Sequence, residues 1–299
     1  MPKTMFVSIL GLPNVGKSSL LNRLLGEKIA IVSEKPQTTR TRIMGVLTQG
    51  ETQLVFTDTP GLHRPRTKLG EHMVRAAHDS LDGVDACLFV TEAGRPALQE
   101  EETAMLRQLR RQPVILVLNK VDLLPEKARL ARQIAQLSGG YAFAAVVPAS
   151  ALRGSNLDAL REELLALADR LDLPQAYLFP EDTLTDQPER VIAAERIREQ
   201  LLRLLDQEVP HGTAVTVEQM KERPGEAPLL DIEAVITCER ESHKGILIGK
   251  GGGMLKTVGT RARKELEAFF GCQVNLKLWV KVKEDWRNRE GLIKNFGLE

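Results

Sequence analysis

Residues 5–25 read MFVSILGLPNVGKSSLLNRLL, and this stretch decides the fold of the N-terminal part of the chain. Met5–Leu10 is almost continuously apolar, which is typical of a strand buried on both faces. Gly11–Ser18 fits the phosphate-binding pattern G-x-x-x-x-G-K-S, and residues 19–25 continue as a helical stretch. A glycine loop between a strand and a helix turns its backbone N–H groups toward phosphate oxygens. The stretch therefore predicts an α/β domain that binds a nucleoside triphosphate.

The loop also carries two side chains with a chemical role. Lys17 is predicted to reach the β- and γ-phosphates, and the Ser18 hydroxyl is predicted to ligate Mg²⁺. The pattern alone specifies a triphosphate but not the base. The residues predicted to surround the phosphates are Gly11, Leu12, Pro13, Asn14, Val15, Gly16, Lys17 and Ser18.

Short apolar runs rich in β-formers alternate with helical stretches up to about residue 170. Because these runs are apolar at consecutive positions, they predict a mostly parallel sheet flanked by helices. Ligands of such sheets bind beyond the carboxyl ends of the strands. The predicted strands are Met5–Leu10, Gln53–Thr57, Ala86–Thr91, Val114–Leu118 and Ala144–Val147.

A second motif, Asp58-Thr59-Pro60-Gly61, directly follows the predicted strand Gln53–Thr57. By itself an aspartate before Pro-Gly is typical of a turn, but paired with the phosphate loop it predicts a nucleotide contact. The Asp58 carboxylate is then expected to hold the Mg²⁺ shell through water, and the Gly61 N–H to sense the γ-phosphate.

The polar segment 36–42 lies between these two motifs. Segments of this kind are ordered by γ-phosphate and Mg²⁺ and released after hydrolysis. Thr39 is the predicted second Mg²⁺ hydroxyl, and Thr38 is the alternative. The predicted catalytic residues are Lys17, Thr39, Asp58 and Gly61, and the predicted Mg²⁺ ligands are Ser18, Thr39 and, through water, Asp58.

A third motif, Asn119-Lys120-Val121-Asp122, follows the strand Val114–Leu118 and specifies the base. The Asp122 carboxylate can accept two hydrogen bonds, from N1–H and the 2-amino group of guanine. Adenine has no such pair of donors, and a site built to bond a polar group rejects its absence strongly. Asn119 is expected to brace the loop and Lys120 to pack along the ring. Residues 150–152 (Ser150, Ala151 and Leu152) are expected to support guanine O6 through backbone N–H groups.

The 299 residues are 42% hydrophobic and 27% charged, which suits two globular domains. No apolar run approaches the ~20 residues that cross a bilayer, so we expect a cytoplasmic protein. The three cysteines are far apart, and we expect them to be packing residues without a disulfide or a metal.

The net charge is +1, yet residues 243–299 contain twelve Lys and Arg against six Asp and Glu. This asymmetry indicates that the C-terminal part meets a polyanion.

The predicted domains are 1–171, a linker 172–188 that contains three prolines, and 189–299. The C-terminal domain is expected to have the α+β order α-β-β-α-α-β. Its predicted elements are a helix Glu189–Glu208, strands Thr213–Val217 and Leu230–Cys238, a glycine-interrupted helix pair Lys244–Phe270, and a strand Gln273–Val282. No heptad or exposed apolar stripe is evident, so we expect a monomer.

The residues Ile248-Gly249-Lys250-Gly251-Gly252 lie inside the basic region, between the two helices. They resemble the Gly-x-x-Gly turn of KH domains, where the nucleic-acid backbone approaches closely and a groove takes about four unpaired nucleotides. The element order resembles the type II KH arrangement. Trp279 and Trp286 are available for base stacking, but an aromatic residue in an alternating strand favours the core, and we predict this for Trp279. The predicted RNA contacts are Ile248, Gly249, Lys250, Gly251, Gly252, Lys256, Arg261, Lys281 and Lys283.

The three nucleotide motifs resemble those of the translation-factor-related GTPases. The phosphate loop together with Gln37-Thr38-Thr39-Arg40 is most similar to the Era group, and the KH-like domain extends this resemblance over essentially the whole chain. Many GTPases have a water-orienting glutamine directly after the Asp-x-x-Gly glycine, whereas this chain has Leu62, which we count among the nucleotide contacts. Slow intrinsic hydrolysis is therefore expected, as in the Era group. The resemblance also suggests that Asn14 helps to bind K⁺ near the phosphates.

The resemblance further implies GTP or GDP with Mg²⁺ as ligands and a role in ribosome assembly. It implies that the KH domain binds the single-stranded 3′ end of 16S ribosomal RNA in the 30S subunit, and that the protein associates loosely with the inner membrane face. Two alternatives stay open: a GTPase that acts on tRNA or a protein partner, and an RNA-binding module with incidental nucleotide turnover. Asp122 argues against an ATPase, and no second carboxylate cluster supports a nuclease.

Overall fold

The computed structural model describes residues 1–61, 65–95, 97–109, 112–124, 127–225 and 228–299. The chain divides into two compact units, and both are discontinuous in sequence. Unit 1 comprises residues 1–30, 39–64 and 73–186, and unit 2 comprises residues 31–38, 65–72 and 187–299. Within the described ranges, no helix combines the length and apolar character that a membrane span requires.

Unit 1 contains a six-stranded sheet in the order β2-β3-β1-β4-β5-β6, in which only the edge strand β2 is antiparallel to its neighbour. The strands are β1 (Lys3–Leu10), β2 (Ile43–Gln49), β3 (Thr52–Asp58), β4 (Ala86–Glu92), β5 (Val114–Asn119) and β6 (Ala145–Pro148). The α-helices described before residue 170 are α1 (Lys17–Leu25), α2 (Lys68–Asp79), α3 (Glu100–Gln108), α4 (Lys127–Gly140) and α5 (Leu157–Ala168), and residues 68–72 of α2 belong to unit 2. The predicted parallel α/β sheet is confirmed.

Apolar residues cover both faces of this sheet. Leu20 and Leu164, from α1 and α5, pack on one face, and Leu106 and Leu137, from α3 and α4, pack on the other. Every residue of β3 is buried, which is the pattern of a central strand covered on both sides. This double burial explains why consecutive apolar runs located the parallel strands.

The edge strand β2 was not predicted from the sequence. It pairs with β3 in an antiparallel register from Ile43 opposite Asp58 to Gln49 opposite Thr52. Its apolar run from Ile43 to Leu47 is interrupted by Gly45, and its last three residues are partly or fully exposed, whereas every residue of β3 is buried. Strands with one exposed edge give a weaker sequence signal than central ones.

Most of the predicted linker belongs to unit 1, because residues 174–186 hydrogen-bond to the sheet. The buried side chain of Gln53 accepts N–H groups of Leu178 and Phe179 at 3.0 Å each, and donates to the Phe179 carbonyl at 3.0 Å. Farther along, the N–H of Val46 donates to the carbonyl of Leu184 at 2.9 Å. The division between the units therefore falls between residues 186 and 187, at the end of the proline-rich stretch.

Unit 2 contains the strands β7 (Ala214–Arg223), β8 (Leu229–Cys238) and β9 (Gln273–Val282) in the order β7-β8-β9. Its helices are α6 (Glu189–Leu204), α7 (Glu241–Ile248), α8 (Gly253–Phe270) and α9 (Glu290–Asn295). The β7–β8 pair is antiparallel and the β8–β9 pair is parallel. The order through β9 is α-β-β-α-α-β as predicted, and the short α9 follows it. The fold class, α/β followed by an α+β domain of the KH type, is thus confirmed.

The two tryptophans of unit 2 have opposite environments. Trp286 is fully buried and donates its indole N–H to the carbonyl of Gly212 at 2.9 Å, so its ring packs inside the domain. Trp279 is 43% exposed, and the prediction that it lies in the core is wrong. Its neighbours Leu278 and Val280 pack against the core instead, and strand alternation then turns Trp279 to the opposite face.

Candidate functional site

The phosphate loop lies between β1 and α1, and two of its glycines are required by close contacts. A Cβ on Gly11, which has φ +144°, would lie 2.2 Å from the carbonyl oxygen of Val90. A Cβ on Gly16, which has φ +99°, would lie 2.2 Å from Asn119 Nδ2. Any larger residue at either position would force the loop to move. The loop backbone is therefore locked against the ends of β4 and β5.

Lys17 is buried at the first position of α1, with 6% of its surface exposed. Its ammonium donates to the carbonyls of Gly11 and Leu12 at 3.0 Å each, so the side chain folds along the loop. Burial lowers the pKa of Lys17 to about 8, and the nearby Asp58 carboxylate opposes this shift. A buried ammonium is costly unless anions compensate it. This environment suits a group that meets phosphate oxygens.

Three predicted Mg²⁺ ligands meet at one point, although they come from α1, residue 39 and the end of β3. The hydroxyl oxygens of Ser18 and Thr39 lie 2.9 Å apart, and Ser18 Oγ donates to Asp58 Oδ2 at 2.6 Å. Adjacent ligands of an octahedral Mg²⁺ at 2.0–2.1 Å are separated by about 2.9 Å. The hydroxyl spacing therefore fits a magnesium site.

The second carboxylate oxygen of Asp58 supports the same assignment. Oδ1 is buried and finds no hydrogen-bond partner among the described residues. Burial raises the pKa of Asp58, although the Lys17 charge and hydrogen bonds from Ser18 and Thr39 act in the opposite direction. A cation with its bound water would supply both the missing partner and the compensating charge. The donor set therefore fits Mg²⁺.

Of the two candidate threonines, Thr39 has the better placed hydroxyl. Thr39 Oγ1 also lies 3.4 Å from Asp58 Oδ2. The Thr38 hydroxyl instead donates to the carbonyl of Lys35 at 2.6 Å. The geometry thus favours Thr39 over Thr38, and the assignment of ligands stays a prediction.

Gly61 lies against the phosphate loop, since a Cβ there would come within 2.8 Å of the backbone nitrogen of Pro13. This close approach brings the end of the Asp58–Gly61 motif beside the first residues of the loop. The predicted contact of Leu62 lies outside the described residues.

The base-recognition motif is held by hydrogen bonds from its neighbours. Asn119 Nδ2 donates to the carbonyl of Val15 at 2.8 Å, and Asn119 Oδ1 accepts the N–H of Ala151 at 3.0 Å. Asn119 therefore joins the phosphate loop to the segment 150–152, as expected of a brace. Asp122 accepts a hydrogen bond from the Ser150 hydroxyl. Leu152 is 69% exposed, which agrees with a contact through its backbone alone.

One residue of this site was missed in the sequence. Glu92, at the end of β4, accepts hydrogen bonds from Lys120 Nζ and from Arg95 Nη2. Burial raises the pKa of Glu92, but the hydrogen bonds and charges of Lys120 and Arg95 outweigh it and leave the pKa below its usual range. Because β4 and β5 are parallel neighbours, their carboxyl ends adjoin. The sequence signal for Glu92 was its position: it is a carboxylate at the end of the strand that pairs with the strand before the Asn119–Asp122 motif.

The glycine turn of unit 2 has two different kinds of glycine. Gly249 has φ +71°, and a Cβ there would lie 2.8 Å from the Cβ of Met254, so no side chain fits. Gly251 and Gly252 have φ +59° and +78°, yet both face open space. The turn therefore exposes backbone without side chains directly before α8 begins at Gly253. A nucleic-acid backbone can approach such a surface closely.

The basic residues among the predicted RNA contacts fall into two groups. Lys250, Lys256 and Arg261 are exposed on the turn and along α8. Lys281 and Lys283 are exposed at the end of β9, and Lys281 forms an ion pair with Glu218 at 3.2 Å. The first group adjoins the turn, so it is the stronger candidate for phosphate contacts.

These features define the protein as a P-loop nucleotide-binding protein with a guanine-type base motif and a KH-type domain. Residues 6–120 match the family described as 50S ribosome-binding GTPase, and residues 208–287 match the KH domain family. GTPase Era of Clostridioides difficile is 48% identical over 297 residues, which covers 99% of this chain and 98% of that protein. GTPase Era of Ruminiclostridium cellulolyticum is 49% identical over 297 residues, covering 99% and 97%.

Two solved structures match over nearly the full length. The crystal structure of a point variant of Aquifex aeolicus Era bound to GDP·AlF4⁻ has a TM-score of 0.91 and 40% identity, covering 99% of both chains. The crystal structure of Era in complex with MgGDPNP and nucleotides 1506–1542 of 16S ribosomal RNA also has a TM-score of 0.91 and 40% identity, covering 100% of this chain and 99% of that one. The chain belongs to the Era family of GTPases.

Proposed function

We propose that this GTPase binds the single-stranded 3′ end of 16S ribosomal RNA through the turn 249–252 and acts in assembly of the 30S subunit. The observation that carries the proposal is the full-length similarity to an Era protein solved with MgGDPNP and nucleotides 1506–1542 of 16S ribosomal RNA. The basic surface of the turn and α8 supports it, since an exposed backbone flanked by lysines suits a phosphate chain.

Within the proposed cycle, Lys17 neutralises the β- and γ-phosphates, and Ser18, Thr39 and, through water, Asp58 hold Mg²⁺. The metal ion supplies charge stabilisation for the transferring phosphoryl group when bound. Asp122 selects guanine, and the Gly61 N–H reports the γ-phosphate. Ordering of segment 36–42 by GTP then changes the affinity of the protein for RNA, and hydrolysis resets it.

The experiment compares RNA affinity in two nucleotide states. A fragment equivalent to nucleotides 1506–1542 is titrated with the protein loaded with a non-hydrolysable GTP analogue or with GDP. We expect tighter binding with the GTP analogue, and RNA must strengthen analogue binding by the same factor because coupling is reciprocal. Equal RNA affinities of the analogue-loaded and GDP-loaded protein would show that the nucleotide does not control RNA binding. A preference for tRNA over this fragment would favour the first alternative function.

Asn14 is the proposed contact for a monovalent cation beside the phosphates. It occupies the middle of the phosphate loop in the left-handed region, with φ +64°. Since Leu62 cannot hydrogen-bond water, a cation is a candidate to replace part of the missing transition-state stabilisation. Single-turnover GTP hydrolysis is expected to be faster in potassium than in sodium, and Asn14→Ala is expected to remove the difference. Equal rates of the unaltered protein in the two salts would contradict the proposal.

A further inference from the structure

Two consecutive side chains of α6 hold the main chain of residues 31–38, and all of these residues belong to unit 2. The side chain of Arg198 is 2% exposed and that of Glu199 is 0% exposed. Buried charged side chains are rare unless they are paired and hydrogen-bonded. Arg198 and Glu199 belong to none of the three nucleotide motifs. Their hydrogen-bond partners therefore indicate their role.

Glu199 binds the start of the segment. Its Oε1 atom accepts the backbone N–H of Val32 at 3.0 Å and a hydrogen bond from Arg203 Nη2 at 2.8 Å. A hydrogen bond from a main-chain N–H to a carboxylate is among the stronger kinds in proteins. Glu199 therefore fixes the segment near its first residue.

Arg198 binds the end of the same segment. Its Nε and Nη2 atoms donate to the two carboxylate oxygens of Glu195 at 2.7 Å each, and Nη2 also donates to the carbonyl of Thr38. A planar guanidinium can make this two-pronged pair and a third bond at once, whereas an ammonium cannot reproduce the fork. Glu195 thereby orients Arg198 toward the peptide that joins Thr38 to Thr39.

This peptide leads directly into the magnesium site. Because the peptide unit is planar, fixing the carbonyl of Thr38 also fixes the N–H of Thr39. In the same structure the Thr39 hydroxyl lies 2.9 Å from Ser18 Oγ. The contacts of α6 with residues 32 and 38 therefore end one residue before the predicted magnesium ligand.

α6 also contacts α8, the helix that begins directly after the glycine turn. Glu265 on α8 accepts hydrogen bonds from Gln200 at 2.9 Å and from Arg203 at 3.2 Å. Arg203 therefore contacts both Glu199 and Glu265. A displacement of α8 on RNA binding would move Arg203, and through it Glu199, the side chain that binds Val32.

We propose that Arg198 and Glu199 are positioning residues that hold Thr39 for magnesium and relay the state of the KH turn to it. The inference rests on the proposed nucleotide switch and names the residues that operate it. Lys35 provides the contrast within the same segment, since its partner Asp206 is 91% exposed. Exposed pairs contribute little to stability, and Asp206→Asn is accordingly the matched control.

The test uses full-length Glu199→Gln, which keeps the size of the side chain but removes its charge, and Arg198→Lys, which keeps the charge but removes the fork. We expect both variants to bind the GTP analogue about tenfold more weakly, which corresponds to the loss of one charge-assisted hydrogen bond. GDP affinity should stay within twofold, because Thr39 serves only the triphosphate state. The ratio of RNA affinities between the two nucleotide states should fall to within twofold of one, while Asp206→Asn keeps the ratio of the unaltered protein.

Each outcome is decisive. If the unaltered protein shows the nucleotide preference and both variants retain it, the positioning role is overturned and the switch stands. If the unaltered protein shows no preference, the switch itself fails, and the inference fails with it. If GDP binding is lost together with analogue binding in both variants, Arg198 and Glu199 serve only the fold, and the inference is overturned.

Discussion

Replacing Asp122 by asparagine is expected to weaken GDP binding at least a thousandfold and to strengthen the binding of xanthosine diphosphate. The carboxylate accepts two N–H groups of guanine, whereas the asparagine amide turns a donor toward one of them. A site built around a hydrogen bond discriminates by about 10⁴ or more when the bond is lost. Xanthine has a carbonyl in place of the 2-amino group, so it accepts from the new amide.

The measurement is a titration of each variant with fluorescent guanosine and xanthosine diphosphates. Asp158→Asn is the matched control, because that carboxylate is 92% exposed and pairs with Arg161 on α5. The control should bind both nucleotides as the unaltered protein does. Unchanged GDP affinity in the Asp122 variant would show that its carboxylate does not face the base, and the predicted guanine site would be wrong.

Replacing Gly251 by aspartate is expected to lower the affinity for the 16S RNA fragment at least tenfold while leaving nucleotide binding unchanged. Like charges brought together at an interface cost several kcal/mol, and 1.4 kcal/mol is already tenfold. The position tolerates a side chain, since a Cβ on Gly251 meets nothing within 4 Å. Its φ of +59° is one that aspartate and asparagine adopt more readily than other residues.

Asparagine at the same position is the matched control, because it has the same shape and backbone preference without the charge. We expect Gly251→Asn to retain most of the affinity, and the loss in Gly251→Asp to shrink as salt screens the repulsion. The measurement is RNA affinity by anisotropy at two salt concentrations. Equal affinities of the aspartate variant and the unaltered protein would place the RNA backbone away from the turn.

The nucleotide site was predictable because each of its motifs is contiguous and follows a strand. Gly11–Ser18, Asp58–Gly61 and Asn119–Asp122 begin at the carboxyl ends of β1, β3 and β5. In a parallel sheet these ends share one edge, so locating the strands also located the motifs together. The choice between Thr38 and Thr39 needed the structure as well, because a polar loop has no period that shows which threonine points inward.

The errors and omissions have a common physical cause. Trp279 has an apolar side chain in a strand of the predicted length, but its side of β9 is the one that the helices leave exposed. Which face of a strand is covered depends on the helices packed against the sheet, and a single strand carries no record of them. The role of Glu92 also depends on a distant residue, because its partner Lys120 is 28 residues away in the sequence.

The sequence by itself determined where the three nucleotide motifs lie and most of the order of the elements, because local patterns of glycine, charge and apolar period carry that information. Only the tertiary structure decided that residues 31–38 and 65–72 belong to unit 2, and that Arg198 and Glu199 hold the segment before Thr39. Such contacts join residues about 160 positions apart, as Arg198 to Thr38 illustrates. They arise from packing, which brings distant parts of the chain together, and no local pattern specifies it.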